Sequence, residues 1–192
     1  MKKVIAVLVL FSTMIFAQQK YIFTDSRDNK TYKAVRIASQ IWMAENLNYA
    51  TSGSQCYDNK LENCQKYGRL YDWNTAMRAC PYGWHLPSDY EWFVLMDAVY
   101  GEKTAGKKLK AKSGWYGNGN GTDEFGFSAL PGGFGLFFDF FDDVGYYGHW
   151  WSASEGGSGS AYRRIMYYNH EDVYWLFGVK SNLFSVRCVQ GN

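Results

Sequence analysis

The sequence lacks the residue patterns of a zinc protein and of a nucleic-acid-binding protein. Its four cysteines contain no C-x-x-C pair, the ligand spacing that structural zinc sites commonly use. Its three histidines, His85, His149 and His170, are scattered. The chain has 20 basic and 18 acidic residues, so it carries no basic excess of the kind that binds phosphate backbones. We therefore expect neither a zinc site nor a nucleic-acid partner.

A hydrophobic run long enough to span a membrane is also missing. The apolar run at residues 4–16 is shorter than the span of about 20 residues that a transmembrane helix needs. Two lysines precede it and Ala17 closes it, which is typical of a signal peptide over residues 1–17; a buried N-terminal strand is the alternative. No cysteine follows the cleavage position, so a lipid anchor is not expected. The mature chain, residues 18–192, is then a single domain without a transmembrane segment, secreted or held in the cell envelope (periplasm or cell surface).

The composition favours a domain of short strands and tight turns. Aromatic residues make up 19% of the chain, and it contains 20 glycines, both above ordinary usage. Removing the predicted signal peptide takes away two lysines and no acid. The remainder is formally neutral and has about 175 residues, enough for one domain with a real core.

The cysteines indicate a disulfide-stapled domain. Cys56, Cys64, Cys80 and Cys188 form an even set, which in an exported protein favours two disulfides with three possible pairings. Of these we favour Cys56–Cys64 as a local clip and Cys80–Cys188 as a long-range staple. In the loop-entropy model, closing about 100 residues stabilises a fold by up to about 4.7 kcal/mol.

Two helices follow a predicted β-hairpin over residues 31–43 and a polar surface loop over residues 51–68. Asp72 is a candidate N-cap of the first helix, and Pro81 ends it. The apolar residues on one face of this helix are Trp73, Ala76, Met77 and Cys80.

The second helix carries a stronger start signal. Ser88 and Glu91 fit a capping box, and Gly101 closes the helix. Its apolar stripe consists of Trp92, Leu95, Met96 and Val99. The lysine-rich residues 103–112 that follow favour a solvated helix face over an anion-binding patch.

Residues 113–148 predict a long irregular region, because glycines and aromatics crowd it without a helix or strand period. Four strand candidates follow: HWWSAS, AYRRIMYYN, VYWLFGVK and FSVRCVQ. Residues 169–172 supply a hairpin turn between the middle two. We therefore expect an α+β domain with an N-terminal β-hairpin, two helices, a long irregular loop region and antiparallel strands.

Several of these segments resemble known families. The stretch WNTAMRACPYGWHLPSDYEWFVLM is similar to the centre of the C-type lectin-like fold. There the cysteine of the first helix pairs with one in the last strand, which also implies Cys80–Cys188. YKAVRIASQIWMAENLNYA, YGRLYDWNTAMRACPYGWHLPSDYEW, NGTDEFGFSALPGG and WWSASE resemble, in order, segments of the Fibrobacter succinogenes major paralogous domain family. This resemblance covers about residues 24–190 and implies an exported bacterial domain of unassigned function.

The chain departs from two related groups in ways that bear on function. HLPSDYEW and FSVRCV resemble segments of formylglycine-generating, sulfatase-modifying enzymes, which use a redox-active cysteine pair near the end of the domain. Only Cys188 lies there, so an oxidase of this type is the disfavoured alternative. Sugar-binding C-type lectins carry Glu-Pro-Asn or Gln-Pro-Asp and Trp-Asn-Asp tripeptides as calcium and sugar ligands, and this chain contains none of them.

Two groups of oxygen ligands are candidates for a metal site. Hard oxygen ligands of the type that calcium prefers are Asn118, Asn120, Asp123 and Glu124. Their alternative is a glycine-rich turn with local hydrogen bonds. The second group is Asp139, Asp142 and Asp143, for which solvated carboxylates are the alternative. Calcium is the one cofactor that the sequence leaves open.

Aromatic residues of the long loop give the leading binding hypothesis. Neighbours on an extended chain point to opposite faces, so we expect some of them to stay exposed and to contact a ligand. A loop that folds onto itself as a small core is the alternative. The residues expected to bind a ligand are Trp115, Asn118, Asp123, Phe138, Asp139 and Trp151.

The sequence thus predicts an exported, non-catalytic binding or display module at the bacterial cell envelope. No nucleophile with a base beside it can be identified, so no catalytic residue is assigned. The expected partner is a polysaccharide or a cell-surface protein. A purely structural envelope protein is the remaining alternative.

Overall fold

The chain folds into a mixed arrangement of helices and antiparallel sheets, which confirms the predicted α+β class. The computed structural model describes residues 19–136 and 139–191. The predicted signal peptide, residues 1–17, lies outside the described residues, and so does Phe138. Within the described ranges, no helix is both long and apolar enough to cross a membrane.

The described helices lie between residues 57 and 109, and strands occupy both ends of the described chain. The strands are β1 Lys20–Thr24, β2 Thr31–Ile37, β3 Gln40–Met43, β4 Ser54–Gln55, β5 Leu70–Tyr71, β6 Trp84–His85, β7 Gly132–Gly135, β8 Phe141–Val144, β9 Tyr147–Gly157, β10 Ser160–Tyr167, β11 Tyr174–Val179, β12 Phe184–Ser185 and β13 Val189–Gln190. The helices are α1 Leu61–Tyr67, α2 Trp73–Ala79, α3 Asp89–Ala98 and α4 Glu102–Leu109, and a short 3₁₀ turn covers Tyr57–Asn59.

Two sheets organise these strands. The smaller has the order β1-β2-β3-β13-β6 with antiparallel neighbours throughout. The larger has the order β11-β10-β9-β12-β5-β4, and β7 and β8 are attached beside β9. The segment β9-β10-β11 is an antiparallel meander. β11 is therefore an edge strand, with β10 as its neighbour on one side.

Local capping signals begin α2 and α3 where the sequence predicts. Asp72 caps α2 by accepting a backbone N–H of the first turn at 2.9 Å. Ser88 and Glu91 form the capping box of α3. The predicted apolar stripe of α3 is buried: Trp92, Leu95, Met96 and Val99. Met77 is a correction, because its side chain is 43% exposed and Ala79 completes the buried face of α2 instead.

Three stretches differ from expectation. Residues 51–68, expected as a surface loop, contain α1. Residues 113–148, expected to be irregular throughout, contain the β7–β8 hairpin. A Cβ at Gly133 would lie 2.4 Å from the carbonyl oxygen of Asp142 on β8. The strand therefore requires glycine at this position, and its sequence lacks the alternating side chains by which a strand is recognised. The predicted hairpin of β2 and β3 gains β1 as a third strand.

The lysine-rich segment is not solvated along its whole length. Lys110 is 2% exposed, so the expectation of a fully solvated face is wrong there. Its Nζ donates to the carbonyls of Tyr167, Tyr168 and His170 at 3.0, 3.4 and 2.9 Å. Burial lowers the pKa of Lys110 to about 8, because desolvation disfavours the charged ammonium. The side chain ties α4 to the turn between β10 and β11.

Both favoured disulfides are confirmed. Cys56–Cys64 closes α1 onto the segment before it. Cys80–Cys188 joins the end of α2 to the segment before β13, across 108 positions of sequence. The second disulfide therefore connects the helical half of the chain to the final strands of both sheets.

Arg187, beside this disulfide, is a fully buried cation. Its guanidinium has five N–H donors. They are directed at Asn46 Oδ1, which accepts twice at 3.1 and 2.8 Å, and at the carbonyls of Met43, Phe127 and Ser128. Burial lowers the pKa of Arg187 to about 9, and the hydrogen bonds offset part of the cost of removing this charge from water.

Asn46 is the shared acceptor of this buried network. Its Oδ1 also accepts Trp150 Nε1–H at 2.8 Å. Its Nδ2 donates to the carbonyl of Tyr67 at 2.8 Å and lies 3.3 Å from Ser185 Oγ. One side chain therefore satisfies polar groups of the larger sheet, of the segment before β13 and of α1.

Asn46→Ala is expected to lower the free energy of unfolding by about 3–5 kcal/mol, because it leaves a buried charge without its main acceptor. Urea unfolding at neutral pH measures this change. Asn48→Ala is the matched control: Asn48 makes its described hydrogen bonds through backbone atoms, so its loss should stay within about 0.5 kcal/mol. Equal effects of the two substitutions would contradict the role given to Asn46.

Candidate functional site

The two tryptophans expected to bind a ligand are core residues. Trp115 is 4% exposed and donates Nε1–H to the carbonyl of Ala129 at 3.0 Å. Trp151 is 0% exposed and donates to the carbonyl of Tyr71 at 2.7 Å. A ring whose faces are packed and whose N–H is satisfied inside the protein has no surface left for a ligand. The expectation for both residues is therefore wrong, because their apolar area is buried in the core.

The predicted oxygen ligands of the long loop are divided between two places. Asn118 and Asn120 line a small polar cavity of about 300 Å³ beside Lys110. Asp123 closes its own turn instead, since its carboxylate accepts both the backbone N–H and the hydroxyl of Ser128 at 2.7 Å. The glycine-rich turn with local hydrogen bonds, the alternative from the sequence, describes Asp123 well.

The charges around this loop are of both signs. Glu124 accepts the hydroxyl of Thr122 at 2.8 Å. The cavity that Asn118 lines is bordered by two cations, Lys107 and Lys110, and by the carboxylate of Glu171. In the described ranges, no group of three or more His, Cys, Asp and Glu side chains is placed to hold a metal. Calcium binding stays a prediction of the sequence.

The second acidic group, Asp139, Asp142 and Asp143, has three separate partners. Asp139 accepts the side-chain amide of Asn59 at 3.2 Å. Asp142 accepts the backbone N–H of Asp143 at 2.7 Å. The Asp143 carboxylate lies 3.6 Å from Nε2 of His149. Each carboxylate is thus engaged locally.

The aromatic residues of the long loop are split between a small core and the surface. Phe134 packs against His149 and Phe184, with ring centroids 5.2 and 6.3 Å apart. Phe141 packs against Tyr57 at 5.4 Å. Among the described residues of this region, the exposed aromatic side chains are Tyr116, Phe140 and Tyr146. The loop therefore largely folds onto itself, as the alternative from the sequence described.

An exposed aromatic surface lies instead on the hairpin of β10 and β11. Trp175, Phe177 and Val179 are 50%, 49% and 55% exposed. Tyr162 lies between the two rings, with its centroid 5.9 Å from that of Trp175 and 4.6 Å from that of Phe177. We call these four residues the aromatic face.

Strand geometry places the four residues on one side of the sheet. Trp175, Phe177 and Val179 occupy alternate positions of β11, and Tyr162 pairs directly with Phe177 across the ladder. Gly156 of β9 makes room for the Phe177 ring, since a Cβ there would lie 2.2 Å from a ring carbon. The missing side chain lets the ring pack against the sheet.

The charge beside the aromatic face is neutralised. Arg164 pairs with Trp175 in the ladder and so points to the same side of the sheet. Its guanidinium contacts the carboxylate of Asp89, the first residue of α3. Since Arg164 is 3% exposed, a ligand that approaches the aromatic face meets an essentially uncharged surface.

Reasoning from the sequence predicted the strand but missed these residues as candidates. In VYWLFGVK both alternating sets are apolar, with Tyr174 and Leu176 on one side and Trp175 and Phe177 on the other. Such a strand is ordinarily buried on both sides. No pattern in the sequence marks β11 as an edge strand, since the next predicted strand, FSVRCVQ, forms only the two-residue strands β12 and β13 in the structure.

The side chains that an enzyme could use here are paired or hydrogen-bonded. All four cysteines are joined in two disulfides, and none is free. The serines close to His149 in sequence are also engaged elsewhere. Ser152 Oγ accepts the backbone N–H of Ser154 at 3.2 Å, and Ser154 Oγ accepts that of Asp89 at 2.9 Å.

An open groove of about 730 Å³ lies between β1, β2 and α1. Its charged lining residues are Lys20, Lys30, Lys33, Lys66, Glu45 and Asp123. Of the described residues that the sequence predicts to bind a ligand, Asp123 alone borders it. The mixed charge makes this groove a weaker candidate than the aromatic face.

His149 belongs to a buried polar cluster. It is 4% exposed, and its Nδ1 lies 3.2 Å from the Arg163 guanidinium. A guanidinium can only donate, so Nδ1 accepts and the proton sits on Nε2, which faces Asp143. Burial lowers the pKa of His149, although Asp143 opposes the shift. The ring is therefore neutral at pH 7.

Comparison with known proteins returns one result. The family model described as Fibrobacter succinogenes major domain matches residues 35–190. Neither the curated proteins nor the solved structures contain a match to the chain. The match includes the aromatic face, both disulfides and the Arg187 network.

The buried imidazole gives a prediction for the pH dependence of stability. In the unfolded chain His149 has an ordinary pKa of about 6.5, and in the folded chain its pKa is lower. The unfolded state therefore binds more protons below about pH 6.5, so the free energy of unfolding falls as the pH drops through that value. Urea unfolding at neutral and mildly acidic pH measures the slope.

His149→Gln is the control for this slope. It removes one titrating group and leaves His85 and His170 in place, so the pH dependence should become flatter. An unchanged slope in the variant would contradict the assignment.

Proposed function

The chain belongs to the Fibrobacter succinogenes major domain family, and from this premise we propose that it is a non-catalytic binding module that recognises polysaccharide through the aromatic face. The observation that supports this function is the half-exposed pair of Trp175 and Phe177 with Tyr162 between them. Large apolar side chains exposed together on a folded surface commonly mark an interaction site.

The chemistry of the aromatic face suits a sugar chain. Sugar rings present patches of C–H groups, and the negative face of an aromatic ring attracts the positive edges of such groups. Trp175 and Phe177 are two residues apart on a strand, a spacing of about 6.8 Å, so an extended glycan can contact both rings. Because Arg164 is neutralised by Asp89, the surroundings favour an uncharged glycan.

The C-type lectin-like fold is part of the same proposal. The order of hairpin, α2, α3 and final strands supports it, and so does the Cys80–Cys188 link between α2 and the last strands. Two disulfides are typical of a protein outside the reducing cytoplasm. We infer export by the signal peptide predicted at residues 1–17, to the cell envelope or beyond it.

The paired substitution Trp175→Ala and Phe177→Ala is expected to weaken binding to polysaccharide by about tenfold or more, because truncating central aromatic contacts commonly costs more than 1 kcal/mol each. Affinity electrophoresis and depletion by insoluble plant and bacterial polysaccharides measure binding. Tyr82→Ala is the matched control, since Tyr82 is a fully exposed aromatic residue outside the aromatic face.

Two results would overturn the proposed function. One is an intact protein that binds no polysaccharide in the panel. The other is a paired variant that binds as well as the Tyr82→Ala control. Thermal unfolding of each variant verifies that the fold is intact.

Recognition by the aromatic face needs no metal ion. The protein treated with a chelator and the protein supplied with calcium are expected to bind polysaccharide equally well. Isothermal titration with calcium alone tests the sequence prediction for Asn118, Asn120, Asp123 and Glu124 directly. If the protein lost polysaccharide binding in chelator, the binding site would be assigned to that loop instead of the aromatic face.

A further inference from the structure

Within residues 19–136 and 139–191, a row of backbone groups on the edge strand β11 has no hydrogen-bond partner. The backbone N–H of Lys180 donates to the carbonyl of Gly159 at 3.0 Å, and residues 159 and 180 continue the register of the β10–β11 ladder. In an antiparallel ladder, successive residues of a strand direct their backbone N–H and C=O groups alternately toward the partner strand and away from it. Residues 178, 176 and 174 therefore face β10, whereas the backbone groups of Trp175 and Phe177 point away from the sheet.

This outward row has defined ends. At its start, the N–H of Val173 donates to the carbonyl of Glu102 in α4 at 3.0 Å. At its end, the carbonyl of Val179 accepts the N–H of Asn182 at 2.8 Å. Between these ends lie the N–H and C=O groups of Trp175 and Phe177 and the N–H of Val179. Such an open edge is a template for pairing with another strand.

The other side of β11 is also apolar and exposed. Leu176 points away from the aromatic face and is 44% exposed. Recognition of a glycan by the aromatic face leaves this leucine unexplained. Edge strands are usually protected by inward-pointing charges, by proline or by a bulge. The described strand Tyr174–Val179 has none of these features.

We propose that β11 pairs antiparallel with β11 of a second copy of this chain, which joins two larger sheets into one. This surface is separate from the contact with glycan, because strand pairing uses the backbone edge and leaves both faces of the sheet open. The proposal therefore goes beyond the proposed function and does not depend on it.

Charge favours a second copy in the antiparallel direction. Glu171 and Asp172 precede β11, and Lys180, which holds Glu155 at 2.8 Å, follows it. Antiparallel pairing brings each acidic end to the neutral Lys180–Glu155 end of the other copy. Parallel pairing would bring the two acidic ends together, and like charges repel. The strand itself carries no charge.

Symmetry makes the assembly a closed dimer. A two-fold axis through the paired edges uses the same strand in both copies, so the contact does not propagate. The opposite end of the larger sheet is β4, Ser54–Gln55, which has two residues and offers little to pair with. Paired residues of an antiparallel ladder share a side, so the two aromatic faces become one continuous surface.

Sedimentation equilibrium without polysaccharide tests the pairing. We expect the intact protein to form dimers as its concentration rises. Leu176→Lys should weaken this association by about tenfold or more, since it places like charges close together at the paired edge. Leu61→Lys is the matched control, because Leu61 is 71% exposed on α1, and it should dimerise like the intact protein.

A cysteine variant tests whether the two β11 strands lie side by side. All four native cysteines are in disulfides, so Leu176→Cys adds a single free thiol near the proposed axis. Mild oxidation should give a covalent dimer faster than it does for Leu61→Cys. A protein that stays monomeric, a dimer that Leu176→Lys does not weaken, or equal cross-linking of the two cysteine variants would each overturn the proposal.

These outcomes separate the two proposals. Leu176→Lys leaves the aromatic face intact, so it should still bind polysaccharide on a per-site basis. Loss of dimerisation with retained binding supports both proposals. A monomeric intact protein that binds polysaccharide overturns the strand pairing alone, and a dimer that binds none overturns the proposed function alone.

Discussion

Arg187 lies in the centre of the fold with every guanidinium donor directed at an amide or carbonyl oxygen. A buried cation of this kind is costly unless its donors are all satisfied. The acceptors come from residues 43–46 and 127–128, which are distant in sequence. The chain must therefore bring β3, the long loop and the segment before β13 together before this charge can be buried. Cys80–Cys188, one residue away, holds the same junction.

This constraint explains where the aromatic residues are found. The network around Asn46 holds Trp150, which packs in the main core with Trp92, Trp115 and Phe127. A second core encloses Trp151 and Phe184. β11, the edge strand of the larger sheet, borders the second core through Gly178, where a Cβ would lie 2.6 Å from the Phe184 ring. Trp175 and Phe177 occupy the alternate positions of β11 and point to the opposite side of the strand, where their rings are half-exposed.

The elements that could be predicted from the sequence are those determined by near neighbours. The capping box of Ser88 and Glu91 and the hairpin over residues 31–43 depend on contacts a few residues apart. The candidate site depends on which strand lies at the edge of a sheet, and that order is decided by pairings between distant segments. Trp115 and Trp175 occur in similarly aromatic stretches, yet one is 4% and the other 50% exposed. Trp115 lies in the long loop and packs in the main core, whereas Trp175 lies on an edge strand, and a local pattern does not report this difference.

Two tethered cations also bear on whether the long loop needs a metal ion. Lys110 holds three backbone carbonyls at the turn after β10, and Arg187 holds the carbonyls of Phe127 and Ser128 in the loop itself. Backbone carbonyls are also among the oxygens that calcium sites use. Here side chains of the protein supply the positive charge that orders them. The protein's own side chains thus make contacts of the kind that a bound ion would make in this loop, which supports placing the proposed recognition on the aromatic face.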